Sequence, residues 1–416
     1  MGMRPSLRAL TLLTAVLHSP AFGQATSARQ LSLAGAGTAA ARAQNAAFVN
    51  PALAQRARSS DRIEITAPFV TLVTADEQDL RGGVESLQDS IDALQAGLGG
   101  ANEALLRAEV ASELGALGGN EVFMDAGLGA SLVLPRGHVS FGLAWRSYVD
   151  LRGLTSIDPG DLVTINTTAD PAALDSLSSE VLVPSVRVDE LGLTFATDFT
   201  LLGIRSSAGV TPKFQSVESR LQTVSVSQAD QSDILDGLGD GETRRDDIAN
   251  VDVGLAFDLG PRLRAAVATT NLLRHTFDAP AVAGTSFAYE LEPRTTAGLA
   301  YGRDGWLLTA DLDLNSTSRF QGLGASRFLR LAGEVSLGTS LALRGMAGHP
   351  HMADLEGGVN DAVVLRAGFM TDLDEVQQDL WTLGISFPTY LQAPLEATLA
   401  VGTEAFGAAL QIGWSI

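Results

Sequence analysis

Few residues in this chain have the types and spacing that could do chemistry. His349 and His351 stand two apart in "GHPHMAD" with Asp354 close by. Two imidazoles and a carboxylate there could share a metal ion, but the pattern fixes no third ligand and a solvated loop explains the stretch as well. "DGLGDGE" (236–242) crowds carboxylates and glycines as calcium loops do, yet lacks their alternating ligand positions and reads as a loop. His138 and His275 are the other histidines outside the leader, and no Gly-x-Ser-x-Gly elbow surrounds a serine. The expectation is a protein that is not an enzyme, with no cofactor and no metal site. The polar residues that remain are carboxylates at alternate positions of extended segments, Asp252, Asp258, Asp311, Asp313 and Glu334. Their chemistry is to line and shape an aqueous interior.

Arg4 and Arg8, the apolar run from Ala9 to Leu17 and the small residues of "AFG" make residues 1–23 a secretory signal peptide, cleaved after Gly23 or close by at Ala25. No cysteine occurs, so disulfide scaffolds and thiolate metal sites are excluded. With 28 basic against 48 acidic residues, a nucleic-acid surface is excluded too. Past the leader no run of about 18 apolar residues occurs, so the choice lies between a soluble fold and a membrane barrel.

From residue 61 onward the dominant period is two. Val251, Val253, Leu255, Phe257 and Leu259 face one way, and Asp252, Gly254, Ala256 and Asp258 the other. Leu308 to Asn315 and Leu329 to Leu337 repeat the pattern. Strands of a soluble sandwich average five or six residues, whereas these run near the nine to eleven of a tilted membrane-spanning strand. Only a sheet closed on itself satisfies its backbone in hydrocarbon. The connections alternate as well, tight at 134–137, 200–203, 259–262, 302–305 and 337–340, and long at 150–184, 215–247, 273–290 and 348–360. Short periplasmic turns and long external loops are the rhythm of outer-membrane barrels.

Tyr301 and Trp306, Trp145 and Tyr148, and Trp414 fall where interfacial aromatic girdles would lie. Fifteen candidate strands can be marked, and a single-chain barrel with both ends in the periplasm needs an even number. The segments 339–347 and 362–371 are the suspect pair, and the expectation is a transmembrane antiparallel β-barrel over 59–416 of about 14 strands, within 12 to 16. Within it, 76–117 breaks the period: Leu80, Val84, Leu87, Ile91, Leu94 and Leu98 recur at helical spacing, with a weaker helix through Leu105, Leu106, Val110 and Leu114. This insertion after the first strand belongs on the external side or in the lumen, as a solvated cap or as a plug or binding element.

"SLAGAGTAAARAQNAAFVNPALAQ" resembles the N-terminal segment of the FadL-like outer-membrane barrel superfamily of transporters for hydrophobic compounds, through Gly35, Gly37, Asn50, Pro51 and Ala52. The chain is most similar to conjugal-transfer TraF-type barrels of the plasmid transfer operon kind. "LRGGVESLQDSIDALQ", "LLTADLDLN", "SLALRGMAG" and "GAALQIGWSI" carry that likeness. It implies that residues 24–58 fold inside the barrel as a hatch, although a periplasmic tail reads equally from composition alone. It also implies that Leu410, Ile412, Trp414 and Ile416 form the C-terminal signal for the insertion machinery, with Ile416 in place of the usual aromatic residue. The function implied is passive transport of hydrophobic or amphipathic small molecules across the outer membrane of a Gram-negative bacterium. The alternative is a structural part of a conjugation or secretion envelope apparatus. Expected partners are outer-membrane lipid, the insertion machinery, a hydrophobic ligand and envelope proteins.

Overall fold

Fourteen strands close into one antiparallel barrel, in the order β1-β16-β15-β14-β13-β12-β11-β10-β7-β6-β5-β4-β3-β2. The computed structural model describes residues 27–56, 63–76, 78–227, 242–282, 285–303, 305–337, 363–387 and 393–415. In chain order the wall comprises β1 (Glu64–Asp76), β2 (Glu121–Arg136), β3 (Val139–Ser156), β4 (Glu180–Leu201), β5 (Ile204–Ser225), β6 (Thr243–Asp258) and β7 (Leu263–Thr270). It continues with β10 (Arg294–Arg303), β11 (Trp306–Asp313), β12 (Phe328–Leu337), β13 (Val363–Asp372), β14 (Leu380–Phe387), β15 (Leu395–Val401) and β16 (Ala405–Ser415). A separate hairpin, β8 (His275–Asp278) and β9 (Ala288–Leu291), forms its own two-stranded sheet. The seam pairs β1 with β16, so no edge is left to recruit another chain.

The expected even number is met at fourteen. Ser336 pairs with Val364 and Leu337 with Val363, so the ring closes without 339–347, a stretch outside the described residues. The same pairing corrects the topology. The connection 338–362, which carries His349, His351 and Asp354, joins strand ends on the side of the tight turns at Gly137, Leu202-Gly203 and Gly305. It had been placed among the long loops at the opposite end. Residues 1–26, most of "DGLGDGE" and Ile416 also lie outside the described residues.

Parity fixes which face meets what. Along β4, Leu191, Leu193, Phe195 and Leu201 point outward and are exposed, while Glu190, Thr194 and Ala196 are buried inside. Comparable outward residues, Phe141, Leu143 and Trp145 on β3 and Trp381 and Leu383 on β14, continue this apolar belt around the wall. From Leu191 to Leu201 its height is that of a tilted strand crossing hydrocarbon. No helix among the described residues is long and apolar enough to cross a membrane.

The wall is lopsided. β4 and β5 have 22 residues each, against 8 in β7, β11 and β14. Above the belt the outward residues of the tall side become charged, as with Arg187 and Asp189, which pair at 3.1 Å. Four helices cover the rest of that outer face: α3 (Leu80–Gly97), α4 (Glu103–Ala116), α5 (Pro159–Thr167) and α6 (Pro171–Leu174). Asp76 caps α3 by accepting from the amides of Leu80 and Arg81. Leu80, Leu87, Leu94 and Leu114 pack on Val122, Met124, Leu151, Val181 and Val183. Those wall residues share the outward parity, so the helical insertion lies against the outside of the barrel and is neither a plug nor a cap over the mouth.

Candidate functional site

The barrel interior is filled by the chain's own beginning. Between Ser27 and Arg56 the only charged residues are Arg29, Arg42 and Arg56, and the rest is dominated by alanine and glycine. This segment contains α1 (Ala28–Ser32), a 3-10 turn at Ala43–Asn45, α2 (Ala46–Val49) and a second 3-10 turn at Pro51–Arg56. Ser27 caps α1 by accepting from the Gln30 amide. Ala34 and Gly35 then turn the chain through the left-handed region, at φ 53° and 83°. Small side chains let backbone pass close to the wall: Ala39, Ala46, Phe48 and Leu53 pack on Phe69, Val133, Ala196, Ala256 and Ala300 from five different strands.

Asn50-Pro51-Ala52 seats against β5 and β6. Asn50 Oδ1 accepts from the Ala52 amide at 3.1 Å, and its amide group donates to the Thr38 carbonyl at 2.8 Å. The wall offers two glycines at this spot. A Cβ on Gly209 would stand 2.3 Å from the Pro51 carbonyl carbon, and one on Gly254 would stand 1.9 Å from Asn50 Oδ1. No residue with a side chain fits at either place while the motif is seated.

The other half of the segment is held by charge. Arg29 meets Glu334 at 3.1 Å, and Arg366 meets the same Glu334 oxygen at 2.6 Å. Arg366 also reaches Glu396 at 3.1 Å, and Arg42 meets that Glu396 oxygen at 3.0 Å. The result is an alternating ladder, Arg29–Glu334–Arg366–Glu396–Arg42, that joins the segment to β12, β13 and β15. Asp311 accepts the amides of Gly37 and Thr38, both at 2.8 Å. Arg56 meets Asp258 at 2.8 Å at the segment's far end. Removing one partner of such a buried set strands the other charge, which costs far more than the net worth of the pair.

Above the segment the lumen closes a second time. β8 and β9 and the loop 314–327 lean from the short side across the mouth, where Phe277, Tyr289, Leu291 and Phe320 pack on Tyr148, Val186, Val188 and Val217 of the tall side. Arg319 meets Asp150 at 2.6 Å and Asp125 at 3.2 Å. Burial weakens the Arg319 cation, but Asp125 and Asp150 more than offset this and hold its guanidinium well above the usual range. Between the two closures lie cavities of about 50 Å³ and 40 Å³. Gln30, Thr38, Arg146, Thr296 and Asp311 are among the lining of the lower one, and Phe123, Arg152 and Arg319 of the upper. Arg294 lines both.

The structure thus places each inward carboxylate. Asp258, Asp311 and Glu334 hold the internal segment; Asp252 meets Lys213 at 2.9 Å; Asp313 takes both Arg330 nitrogens at 2.8 and 3.0 Å. Asp252, Asp258, Asp313 and Glu334 are partners of buried cations and Asp311 accepts backbone amides, so they do not merely hydrate a pore. Leu410 is exposed on the belt and shares its parity with Ile412 and Trp414. Tyr148 departs from the girdle reading, because its parity turns it into the lumen, 2% exposed, while Trp145 faces outward. His138 lies at a tight turn and His275 in the mouth hairpin, at opposite ends. No group of metal-binding side chains occurs among the described residues.

Sequence reasoning missed the cationic half of the site: Arg29, Arg42, Arg366 and Arg294, together with Glu396. A signal existed, since residues 24–58 carry arginines and no acid while the wall's inward positions carry acids.

Residues 47–313 match the protein family described as "F plasmid transfer operon, TraF, protein". No curated protein sequence matches the chain. Among solved structures, the Ralstonia pickettii toluene transporter TbuX is similar at a TM-score of 0.51 and 13% identity, over 94% of this chain and 99% of that chain. The Pseudomonas putida toluene transporter TodX is similar at 0.50 and 11%, again over 94% and 99%. A monoaromatic hydrocarbon channel variant, TodX deltaS2S3, is similar at 0.50 and 13% with the same coverage. At these identities the likeness is one of fold alone.

Proposed function

Because the chain belongs to the TraF family of the F plasmid transfer operon, and folds as a FadL-like barrel, we propose that it is an outer-membrane channel for hydrophobic or amphipathic small molecules in a Gram-negative bacterium. The observation that carries this reading is the filled lumen. A wall sized to its lipid belt encloses a small-sided segment whose first half is held by a ladder of ion pairs together with small apolar contacts of Ala28, Leu31 and Ala34. Residues 24–58 then serve as the hatch. Arg294, which lines both cavities, is placed to receive the polar end of an amphipathic permeant as it passes. TbuX and TodX are toluene transporters, which makes monoaromatic compounds the first permeants to try. Purified barrel reconstituted in vesicles should accelerate entry of toluene or of a short aromatic amphipath over empty vesicles. Entry no faster than into empty vesicles for both permeants would overturn the reading.

A second reading, a structural role in a conjugation or secretion envelope apparatus, is favoured by where the family match falls. Residues 47–313 take in the tall side and the helices α3–α6 on its outer face. Loss of plasmid transfer on deletion, restored by the full chain but not by one lacking 80–116, would favour this role.

A further inference from the structure

The mouth is closed by a body that charge fastens to the wall at two places among the described residues: Arg319 with Asp125 and Asp150 facing the lumen, and Asp278 with Arg244 at 3.7 Å on the exposed rim. The amide of Glu290 donates to the Arg319 carbonyl at 2.6 Å, and that of Gln321 to the Ala288 carbonyl at 2.9 Å, so β8, β9 and residues 316–326 form one unit. Its roots at Pro293 and Asn315 lie on the short side, and Leu273, at the root of β8, is held by Asn250 of β6. Asn315 ties the short-side roots together, donating to the Pro293 carbonyl at 2.8 Å and accepting from the Thr295 amide at 2.9 Å. On the tall side it touches an apolar patch and, beside the exposed Asp278–Arg244 pair, places the cation Arg319 between two buried carboxylates, Asp125 and Asp150. Directly beneath lies the upper cavity, which Arg319 helps to roof.

We infer that this unit is a hinged lid and that Arg319 is its latch. Lifting it from the tall side parts Arg319 from Asp125 and Asp150 and opens a path to Arg294 and the hatch. The inference rests on the channel reading, since a lid matters only to something that enters. In the closed state the latch offsets the cost of bringing two carboxylates together. With Arg319 withdrawn they face each other with Arg152 alone beside Asp150, at 3.4 Å, which biases the lid shut until a permeant enters.

The chain has no cysteine, so a single thiol reports on the space below the lid. Thr296→Cys in the lower cavity is labelled in purified detergent-solubilised barrel with a charged maleimide. The unlatched double variant Thr296→Cys with Arg319→Ala should react at least tenfold faster than Thr296→Cys alone, and pairing Thr296→Cys with exposed Arg187→Ala should leave the rate unchanged. Asp125→Asn with Asp150→Asn in the same background keeps the side-chain volumes and should also raise the rate. Folding is checked by heat-modifiable gel mobility. Equal rates in folded unlatched variants overturn the lid, and so does failure of both unlatched variants to close the barrel, because a latch is dispensable to the wall. Labelling needs no permeant, so faster labelling without vesicle uptake would overturn the channel alone, and uptake with unchanged labelling the lid alone.

Discussion

β4 and β14 obey the same parity, but one is 22 residues long and the other 8. At roughly 3.3 Å per residue the first is close to three times as long as the second. β14 is spent within the apolar belt, with Trp381 and Leu383 outside and Thr382 and Ser386 inside. β4 leaves the belt at Leu191 and continues for eleven more residues to Glu180. The surplus wall has two faces that neither lipid nor the N-terminal segment covers. The outer one takes α3–α6 and surface charges, and the inner one takes the aromatic underside of the mouth hairpin. The comparison teaches that strand length beyond the belt acts as scaffold for appended parts, while the short side is where the internal segment is held by ions.

Four substitutions would break or sharpen that contrast. The largest effect is expected for Glu334→Ala on the short side, which leaves Arg29 and Arg366 facing each other in a buried space. A loss of about 3–5 kcal/mol of segment anchoring should appear as new protease cleavage within 27–56, with the barrel still heat-modifiable. Leu87→Ala, under the tall side's helical cover, should cost about 2–5 kcal/mol and show as faster amide exchange across α3 and α4 while the belt strands stay protected. Leu193→Arg places a charge amid the belt of β4 and should lower unfolding free energy in vesicles by about 2–4 kcal/mol. The smallest effect belongs to Arg187→Ala six residues higher on the same strand, where an exposed pair is worth about 0–1 kcal/mol. If Leu193→Arg and Arg187→Ala proved equal, the belt would not end where parity and charge put it.

The short side was readable in the sequence almost residue by residue. The alternation at Leu308 to Asn315 belongs to β11, Trp306–Asp313, and that at Leu329 to Leu337 to β12, Phe328–Leu337. Alternation is strict there because lipid and a polar interior lie on opposite faces. On the tall side the loops that the sequence suggests are too long: 150–184 overlaps β3, which runs to Ser156, and β4, which begins at Glu180, and 215–247 overlaps β5, which runs to Ser225. Both faces of upper β4 are buried, Val181 and Val183 under helices and Val186 and Val188 under the mouth hairpin, so no polar phase remains to detect. Upper β5 presents charge outward, Glu218 and Arg220, and had been taken for loop. Leu80 to Leu98 announced a helix plainly, but its side of the wall depends on the parity of Val122 and Val183, which only the pairing register reveals. The ion ladder was hidden for another reason. Arg29 and Glu334 are 305 positions apart, and nothing local marks them as partners.

The internal segment runs against the order of the ring. Its first residues lie on the last strands, where Thr398 donates to the Ala28 carbonyl and Thr382 to that of Ser32. Its last residues, Asn50 to Arg56, lie on β5 and β6. A nascent sheet that has reached β6 can therefore dock only the tail of the segment, and α1 gains its berth once β14 to β16 arrive beside β1. Sealing the cylinder and stoppering it become one event, so a leaky half-assembled form has no stable place among the states of this protein.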